Sequence, residues 1–242
     1  MLKIDNFEVL GWEHAIRGMR NPKNSWGKSD SVFTPHELED WPHDIIKTFD
    51  DLGPNDHNLM AQLADGGPVH AKYRRMITVY VDITAPLYWW KEFDTYKVGT
   101  VANSCSTMHK IHDKEFTLDD FSCDKLMDNC GLELEFTSVE DTVHLAKCGF
   151  DDILRVTIDA LNFARKMYLE TGEKCYWWQM IQLLPSSYNQ KRTIMLNYEV
   201  LVGIYKWRRN HKLDEWHTFC NWIEELPYSE LITGYKEGET NV

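Results

Sequence analysis

The segment Met76–Thr84 limits the fold of this 242-residue chain more than any other segment. Every second residue in it is β-branched and aliphatic: Ile77, Val79, Val81 and Ile83. This alternation is typical of a β-strand that buries one face, and such a strand needs partner strands and a layer packed on that face. Thr84-Ala85-Pro86 follows and predicts the start of a helix, because proline is favoured in the first helical turn. The chain therefore needs a sheet with helices packed beside it.

The C-terminal part of the chain is predicted to be mostly helical, because apolar residues recur there at helical spacing. The four predicted helices are Asp151–Glu170, Cys175–Leu184, Lys191–Arg209 and Leu213–Glu225. Ile194–Trp207 is apolar on nearly all sides, which predicts a central helix with neighbours on every face. No linker separates these helices from the strands. We therefore predict one domain over residues 1–242, of the α+β class, helix-rich with a small central sheet.

Shorter elements are predicted along the rest of the chain. Thr34 and Pro35 form a helix-start signal, which predicts a helix through Leu38, Trp41, Ile45 and Phe49 that ends near Gly53. Residues 234–242 are expected to be a frayed tail. The remaining predicted strands are Phe7–Leu10 and Leu132–Thr137, and the remaining predicted helices are Trp12–Met19, Asn55–Ala64, Thr117–Asp128 and Val139–Ala146.

Charge and composition exclude several classes of function. The chain has 38 acidic and 26 basic residues and a net charge of −12, so its field opposes binding to nucleic acids and acidic membranes. No run of ten apolar residues occurs, and Met1–Asn6 lacks a basic flank, so we expect a cytoplasmic protein without export or membrane insertion. The six cysteines include no CxxC pair and are expected to be reduced thiols.

The segment Lys206–Lys212 carries four permanent positive charges in seven residues of an otherwise acidic chain. Two interpretations remain open. Cations at the C-terminal end of a helix are favoured by the helix dipole, and they also suit a local anion site. Asn197 and Arg208 are eleven residues apart, which on one helix places them on one stripe about 16 Å apart. One extended ligand would then touch both.

A polar cluster follows the predicted helix that begins at Pro86. Its hydroxyl and amide side chains are those of Thr100, Asn103, Ser104 and Ser106. Such groups suit hydrogen bonds to a phosphate or a carbonyl group, and they are equally common in ordinary polar loops. The cluster is therefore a candidate site only in combination with other residues.

Two further patterns have structural as well as functional interpretations. Cys105, His109 and His112 have the spacing of ligands on one helix face, but with Cys123 and Cys130 they match no familiar zinc module, so we predict no metal site. The tryptophan pairs at 89–90 and 177–178 offer surfaces for a planar cofactor. Adjacent residues on a helix point to different faces, however, so we expect most of these rings in the core.

Two stretches of the sequence resemble the flavin-dependent thymidylate synthases (ThyX-type). That family has a helix ending in glycine and histidine, a strand, an Ala-Pro helix start, and then an arginine-rich signature containing Asn-Glu. The corresponding stretches here are His70, Ile77–Ile83, Ala85-Pro86 and Thr95–Met108. Downstream, Tyr168-Leu169-Glu170 and Leu184-Pro185 resemble the family's helix and Leu-Pro turn. The resemblance covers residues 55–109 and 151–225, so residues 110–150 are expected to be a divergent insertion.

The resemblance implies a fold, an assembly and a reaction. The fold is the mixed α+β subunit of these synthases, and the working unit is a homotetramer with ligand sites built between chains. An enzyme of this kind would hold FAD and reduce it with NADPH. It would then act as a methyltransferase, moving a one-carbon unit from methylenetetrahydrofolate to carbon 5 of the nucleotide dUMP.

The resemblance also implies roles for individual residues. Arg208 falls where the family has the arginine that reaches the uracil, and it is the candidate catalytic residue. His70, Asn197 and Asn103 fall at cofactor-binding positions. The residues expected to line the nucleotide pocket are Lys97, Thr100, Asn103, Ser104, Ser106 and Arg209.

Several signature residues of the family are replaced. Thr95, Met108 and Ile181 stand where the family has arginines, Ser104 replaces an acidic residue, and Glu199 occupies another arginine position. Arginine holds phosphate with a bidentate fork, and each charged hydrogen bond contributes about 1.5–3 kcal/mol. Losing two or three of them corresponds to a loss of roughly 10³-fold in affinity.

Two interpretations of these replacements remain open. The basic residues that flank the matched segments offer compensation: Lys97, Arg74, Arg75, Lys191, Arg192 and Arg209. Alternatively, the chain is a non-catalytic relative that keeps the homo-oligomeric assembly and binds or sequesters a nucleotide-like small molecule. Fold does not decide between these interpretations, because one fold supports both active and inactive proteins.

Overall fold

The computed structural model describes residues 1–38, 41–128, 130–137 and 143–234 of the chain. Its strands are β1 (Lys3–Leu10), β2 (Val32–Leu38), β3 (Trp41–Asp51), β4 (Thr78–Pro86), β5 (Val101–Ser104), β6 (Leu132–Thr137), β7 (Val143–Cys148) and β8 (Asn189–Asn197). Its helices are α1 (Trp12–Arg20), α2 (Pro54–Asp65), α3 (Leu87–Phe93), α4 (Phe150–Thr171), α5 (Lys174–Leu183), α6 (Tyr198–Arg208), α7 (Asp214–Glu224) and α8 (Glu230–Thr233).

The strands form one four-stranded sheet in the order β1-β4-β8-β5 and two separate two-stranded sheets, β2-β3 and β6-β7. The alternating segment identified in the sequence is strand β4, and its inward residues Val79, Val81 and Ile83 are fully buried. The helix predicted to start at Thr84-Ala85-Pro86 is α3. The predicted α+β class, with many helices and a small central sheet, is therefore confirmed.

The chain divides into two compact units. Unit 1 comprises Met1–Lys3, Ile83–Thr95 and Asn103–Arg192, and unit 2 comprises Ile4–Asp82, Tyr96–Ala102 and the residues from Thr193 onward. The prediction of one domain over residues 1–242, with an insertion at residues 110–150, stays a prediction.

Unit 1 contains a hydrophobic core between α4, α5 and the chain that precedes them. Helix α4 buries Leu154, Ile158 and Leu161, which recur at intervals of four and three residues and so share one face. Gly172 ends this helix in the left-handed conformation, with a φ of 69°. The buried residues of the core are Ile111, Phe116, Phe121, Leu154, Ile158, Leu161, Ala164 and Met180.

Unit 2 has an aromatic core around α1, α6 and α7. The Trp12 ring stacks on Phe49 with centroids 4.8 Å apart and meets Tyr198 edge to face at 5.7 Å. Helix α7 buries Trp216 and Phe219 on the same face. Aromatic pairs in these geometries stabilise a core beyond the contribution of their buried area. The predicted helices Trp12–Met19, Asn55–Ala64 and Leu213–Glu225 are confirmed as α1, α2 and α7.

The predicted helix from Thr34 to Gly53 is wrong, because Val32–Leu38 and Trp41–Asp51 form the antiparallel pair β2-β3. Phe33 pairs with Phe49, and Thr34 pairs with Thr48. β-Branched and aromatic residues favour strands, and their total along both segments outweighs one local helix-start signal. Pro35 is tolerated because both strands of a two-stranded sheet are edge strands.

The predicted helix Lys191–Arg209 is partly wrong, because its first residues form strand β8 and only Tyr198–Arg208 is helical. Strand β8 lies between β4 and β5 in the sheet order. Ile194 and Leu196 are buried in it. The run Ile194–Trp207 is apolar on nearly all sides, so its sequence has no periodicity that distinguishes a buried helix from a central strand.

Two predicted helices in the middle of the chain are also wrong. Of Thr117–Asp128, only Leu118–Asp120 forms a short 3-10 turn, closed by a reciprocal bond between Thr117 and Asp120. Residues 143–146 of the predicted helix Val139–Ala146 belong to β7, which pairs with β6, and residues 138–142 lie outside the described residues. Of the tail predicted at 234–242, residues 235–242 also lie outside them.

The remaining predictions of secondary structure are confirmed with small shifts at the ends. Phe7–Leu10 lies within β1, Leu132–Thr137 is β6, and the two helices predicted over Asp151–Glu170 and Cys175–Leu184 are α4 and α5. Among the described residues, no helix combines the length and the apolar character needed to cross a membrane.

Gly11, immediately before α1, allows the close approach of two backbone segments in unit 2. Its φ is 94°, and a Cβ added there would lie 2.1 Å from the carbonyl oxygen of Met76. We expect Gly11→Ala to lower the free energy of unfolding by about 2–3 kcal/mol, because it adds a strained backbone conformation to a clash. Urea denaturation of the variant and the wild type measures this difference.

Gly203 provides the matched control for that substitution. It lies inside α6, and no atom would lie within 4 Å of an added Cβ. Gly203→Ala is therefore expected to raise the free energy of unfolding by about 0.5–1 kcal/mol through helix propensity. Equal losses in both variants would mean that the backbone at Gly11 is not specially constrained.

Candidate functional site

Arg208 ends helix α6 in unit 2 and is held by two aromatic rings. Its Nε donates a hydrogen bond to the hydroxyl of Tyr96 at 2.9 Å. Its guanidinium carbon lies 5.5 Å from the centroid of the Tyr96 ring and 4.7 Å from that of Trp216. Cation–π contacts of this kind hold an arginine in one orientation. We call Tyr96 and Trp216 the aromatic clamp.

The turn after α3 packs against the N-terminal end of α6. Gly99 has a φ of 80°, and a Cβ there would lie 3.1 Å from Val200 Cγ2 and 3.2 Å from Asn197 Nδ2. Only a glycine fits this turn without displacing one of those side chains. The same turn therefore reaches Arg208 through Tyr96 and reaches Asn197 through Gly99.

Asn197 is the N-cap of α6. Its side-chain Oδ1 accepts a hydrogen bond from the backbone N–H of Val200 at 3.1 Å, and its backbone is extended rather than helical. Asn197 therefore precedes the helix, and the single helical stripe expected from Asn197 to Arg208 is wrong. The two residues instead mark the two ends of α6.

Capping predicts the effect of substituting Asn197 on stability. Asn197→Ala is expected to lower the free energy of unfolding by about 1 kcal/mol, because one backbone N–H at the start of α6 loses its acceptor. Asn197→Asp keeps an oxygen at that position, so we expect it to keep nearly all of the stability. Thermal unfolding followed by circular dichroism compares the two variants. Equal destabilisation of both would contradict a capping role.

Two buried polar atoms flank the contact between Gly99 and Val200. Thr100 Oγ1 and Glu199 Oε2 are buried, and neither has a hydrogen-bond partner within the described part of the chain. A buried polar atom without a partner costs about 1–3 kcal/mol, so such atoms point to a group that completes them. The carboxylate of Glu199 accepts hydrogen bonds, and the hydroxyl of Thr100 both donates and accepts them.

The other residues of unit 2 proposed from the sequence lie on its surface. Lys97, Arg209 and His70 are all exposed. The His70 ring lies against Gly66, just after α2, where an added Cβ on Gly66 would lie 3.1 Å from His70 Cδ2. The structure shows no contact that joins His70 to Asn197 or Arg208 within its described residues. The cofactor role of His70 stays a prediction.

Asn103, Ser104 and Ser106 belong to unit 1. Asn103 and Ser104 are exposed at the end of β5. The Ser106 hydroxyl oxygen accepts hydrogen bonds from the backbone N–H groups of Met108 and His109, at 3.2 and 2.9 Å. Ser106 therefore closes a local turn, a role that needs no ligand.

Arg192, one of the basic residues considered as compensation, already has partners in unit 1. Its Nη1 lies 2.7 Å from Asp94 Oδ1, and its guanidinium lies 4.2 Å from the centroid of the Trp90 ring. Trp89 and Trp90 are fully buried, so this pair belongs to the core as expected. Trp178, by contrast, is 42% exposed.

The zinc alternative finds no support in the part of the chain that the structure describes. No three histidine, cysteine or acidic side chains lie close enough there to share a metal ion. Cys105 is exposed, and its backbone N–H and carbonyl oxygen bond to Lys191 and Gln190 within unit 1.

Sequence reasoning missed three residues of this site. Tyr96 and Trp216 were given no role in the site, and Glu199 was interpreted only as the replacement of a family arginine. No sequence pattern joins Tyr96 to Arg208, because the two are 112 residues apart. No sequence signal marks Glu199 either, because the burial of its Oε2 is not visible in a sequence.

Comparisons with known proteins give matches in structure but not in sequence. No protein-family model and no curated protein matches the chain. Thymidylate synthase X (ThyX) from Helicobacter pylori with FAD and dUMP matches with a TM-score of 0.60 and 13% identity, over 96% of this chain and 97% of that one. A second structure of the same complex matches with a TM-score of 0.57.

A further match is the UMP/dUMP methylase PolB from Streptomyces cacaoi, bound with 5-Br dUMP. Its TM-score is 0.55 at 14% identity, over 97% of this chain and 96% of that one. Because each match covers nearly the whole of both chains, the similarity is not confined to one supersecondary motif. Despite its divergent sequence, this chain has the fold of the flavin-dependent thymidylate synthases.

Proposed function

We propose that this chain is a divergent member of the flavin-dependent thymidylate synthase family that binds a flavin and a uracil nucleotide. The observation that carries the proposal is the aromatic clamp. It holds Arg208, the residue that the resemblance aligns with the family's uracil-binding arginine, against Tyr96 and Trp216. Matches to ThyX with FAD and dUMP and to a UMP/dUMP methylase name the ligand class: dUMP or UMP.

The two buried polar atoms near Asn197 suit hydrogen bonds with FAD. Glu199 Oε2 needs a hydrogen-bond donor, and Thr100 Oγ1 needs a partner of either kind. FAD carries hydroxyls on its ribityl chain and an imide N–H on its ring, which meet both needs. Asn197, His70 and Asn103 would hold the cofactor. When bound, FAD would supply the redox chemistry that side chains lack.

Arg208 would stabilise negative charge that develops on the uracil ring. A cation held in place before the reaction needs little reorganisation when charge develops, and this is a large source of catalytic effect. The Tyr96 hydroxyl accepts from the Nε edge of the guanidinium, and the Trp216 ring lies 4.7 Å from its central carbon. Lys97, Thr100, Ser104, Ser106 and Arg209 are the proposed nucleotide-binding residues.

The full reaction proposed is the methylation of dUMP to dTMP. It would use methylenetetrahydrofolate as the one-carbon donor and NADPH as the reductant. We also propose the homotetramer of the family, with sites completed between chains, and a cytoplasmic location. The net charge of −12 supports a small-molecule substrate over a nucleic acid.

A non-catalytic relative that sequesters a nucleotide is the second candidate function. Two observations favour it. Glu199, whose Oε2 is buried, occupies a position where the family has an arginine, and the Arg192 guanidinium is already paired with Asp94. A site of this kind would keep Arg208 for the uracil, but it would bind the phosphate of the nucleotide weakly, because neither of these two positions offers an arginine that is free to pair with it.

Purification followed by ligand analysis separates the two functions. The enzyme is expected to carry a yellow flavin, to bind dUMP and to rescue growth of a thymidine-requiring strain. The sequestering protein is expected to bind dUMP without rescue. A protein with neither flavin nor measurable dUMP binding would contradict both proposals.

A further inference from the structure

Two adjoining cavities lie along the C-terminal half of α6 in unit 2. Their volumes are about 440 and 880 Å³. Both are within the range of cavities that bind small molecules. Arg208 lines neither of them. The residues that line both are Tyr205, Arg209, Asn210, Thr233 and Gly234.

Three cations from two elements line the smaller cavity. Lys206 and Arg209 come from the C-terminal end of α6. Arg74 comes from the 3-10 turn Lys72–Arg75, which packs against α6. The helix dipole accounts for cations at the end of α6, but it does not account for Arg74, which belongs to a different element.

Arg74 provides the main evidence that this cavity holds an anion. It is only 8% exposed, and its Nε has no hydrogen-bond partner in the described residues. No ion pair of the described chain includes it. Burying a guanidinium N–H without an acceptor is costly, so buried arginines are normally paired with an anion. A cavity bounded by two further cations is where such an anion would lie.

Two carboxylates also line the smaller cavity, and they indicate that its ligand carries hydroxyl groups as well as an anionic group. Asp65 is exposed at the end of α2, and Glu230 Oε1 pairs with His57 Nε2 at 2.7 Å. Three cations against two carboxylates leave the lining positive. Carboxylate, amide and hydroxyl groups on the same lining suit ligand hydroxyls. The lining therefore matches a ligand with one anionic end and several hydroxyls.

We propose that this cavity binds a small phosphate ester with free hydroxyl groups, a sugar phosphate in size and chemistry. Arg74, Lys206 and Arg209 hold the phosphate, and the polar groups of Asp65 and Asn210 meet the hydroxyls. This site is separate from the nucleotide site at Arg208 and does not depend on the proposed function. Arg209 is also among the residues proposed for the nucleotide site. The test therefore uses variants of Arg74 and Lys206, which are proposed for this cavity only.

Titration calorimetry of the purified chain with ribose 5-phosphate tests the site, and inorganic phosphate is the second probe. We expect saturable binding of both, with the ester binding more tightly. Arg74→Met and Lys206→Gln are each expected to weaken binding about tenfold to hundredfold. Arg75→Gln is the matched control, because Arg75 is an exposed cation in the same turn. It should change affinity less than about twofold.

Thermal unfolding in phosphate-free buffer provides a second readout. Arg74→Met is expected to unfold at the same or a higher temperature than the wild type, because it removes a buried unpaired charge. If Arg74→Met does not fold, Lys206→Gln against Arg75→Gln decides the question.

Four results would contradict the proposal. The first is the lack of saturable binding, and the second is an equal loss in Arg75→Gln, which would indicate only the general field of the surface. The third is a loss in Arg208→Gln but not in Arg74→Met or Lys206→Gln, which would place the phosphate in the nucleotide site. Equal affinity for inorganic phosphate and ribose 5-phosphate would contradict the ester class. Binding of dUMP is measured separately, so failure here leaves the proposed function standing.

Discussion

Replacing Arg208 with glutamine is expected to weaken dUMP binding about tenfold to hundredfold. The substitution removes a charge-assisted hydrogen bond, which contributes about 1.5–3 kcal/mol, and this range corresponds to that loss in affinity. Calorimetric titration with dUMP measures the change directly. In an active enzyme the same substitution is expected to abolish rescue of a thymidine-requiring strain, because Arg208 would also stabilise charge in the transition state.

The aromatic clamp makes Arg208 a structural residue as well, so stability must be measured beside binding. Loss of the contacts with Tyr96 and Trp216 is expected to cost about 1 kcal/mol of unfolding free energy. Tyr96→Phe keeps the ring and removes only the hydroxyl that accepts from Arg208 Nε, so we expect a smaller loss of dUMP affinity.

Lys212→Gln is the control for charge. Lys212 is exposed in the same basic segment, and its substitution changes the net charge by the same amount. Binding of dUMP that is unchanged in Arg208→Gln, or that is equally weakened in Lys212→Gln, would remove Arg208 from the proposed site.

Periodicity in the sequence was sufficient for elements that bury one face. Strand β4 and helix α4 each alternate buried and exposed residues with the period of their own structure, and both were predicted. Periodicity was insufficient for β8, because its only apolar residues, Ile194 to Leu196, run almost directly into the apolar helix α6. In β2-β3, the strand preference of the β-branched and aromatic residues outweighed the helix-start signal at Thr34-Pro35.

The candidate site was predictable only in part. Resemblance to a family identified Arg208 and Asn197, because their residue types are retained. The contacts that give these residues a physical role were not predictable. Tyr96 and Trp216 contact Arg208 through the fold, and Asn197 became a helix cap only because α6 begins after β8. Ser106 shows the converse, since its hydroxyl oxygen already accepts two hydrogen bonds from its own turn and only its hydrogen remains for a ligand.

Replacing Asp56 with asparagine is expected to lower the free energy of unfolding by about 3–5 kcal/mol, the largest stability effect that we expect from one substitution. Asp56 and Arg20 are buried in unit 2, with Arg20 Nε 2.5 Å from Asp56 Oδ1. Removing one partner of a buried ion pair leaves the other charge uncompensated. Asp56 Oδ2 also accepts hydrogen bonds from the hydroxyls of Ser29 and Ser31 and from two backbone N–H groups.

The same carboxylate makes stability depend on pH. Burial alone would raise the pKa of Asp56, but hydrogen bonds from Ser31, Ser29 and Arg20 outweigh it and hold the pKa below its ordinary value of 3.8. A pKa lowered by folding stabilises the native state above the unfolded value, and this contribution is lost as pH falls through the folded pKa. The wild type should therefore lose stability in acid below about pH 4.

Urea denaturation of wild type and Asp56→Asn at about pH 7 and about pH 3 tests both effects together. We expect the difference between the two proteins to be large near neutrality and to shrink in acid, because protonation removes from the wild type the charge that the variant lacks. Asp119→Asn, at an exposed aspartate, is the control and should change stability by less than about 0.5 kcal/mol. A difference that stays constant with pH would show that the shape of the Asp56 side chain, and not its charge, stabilises unit 2.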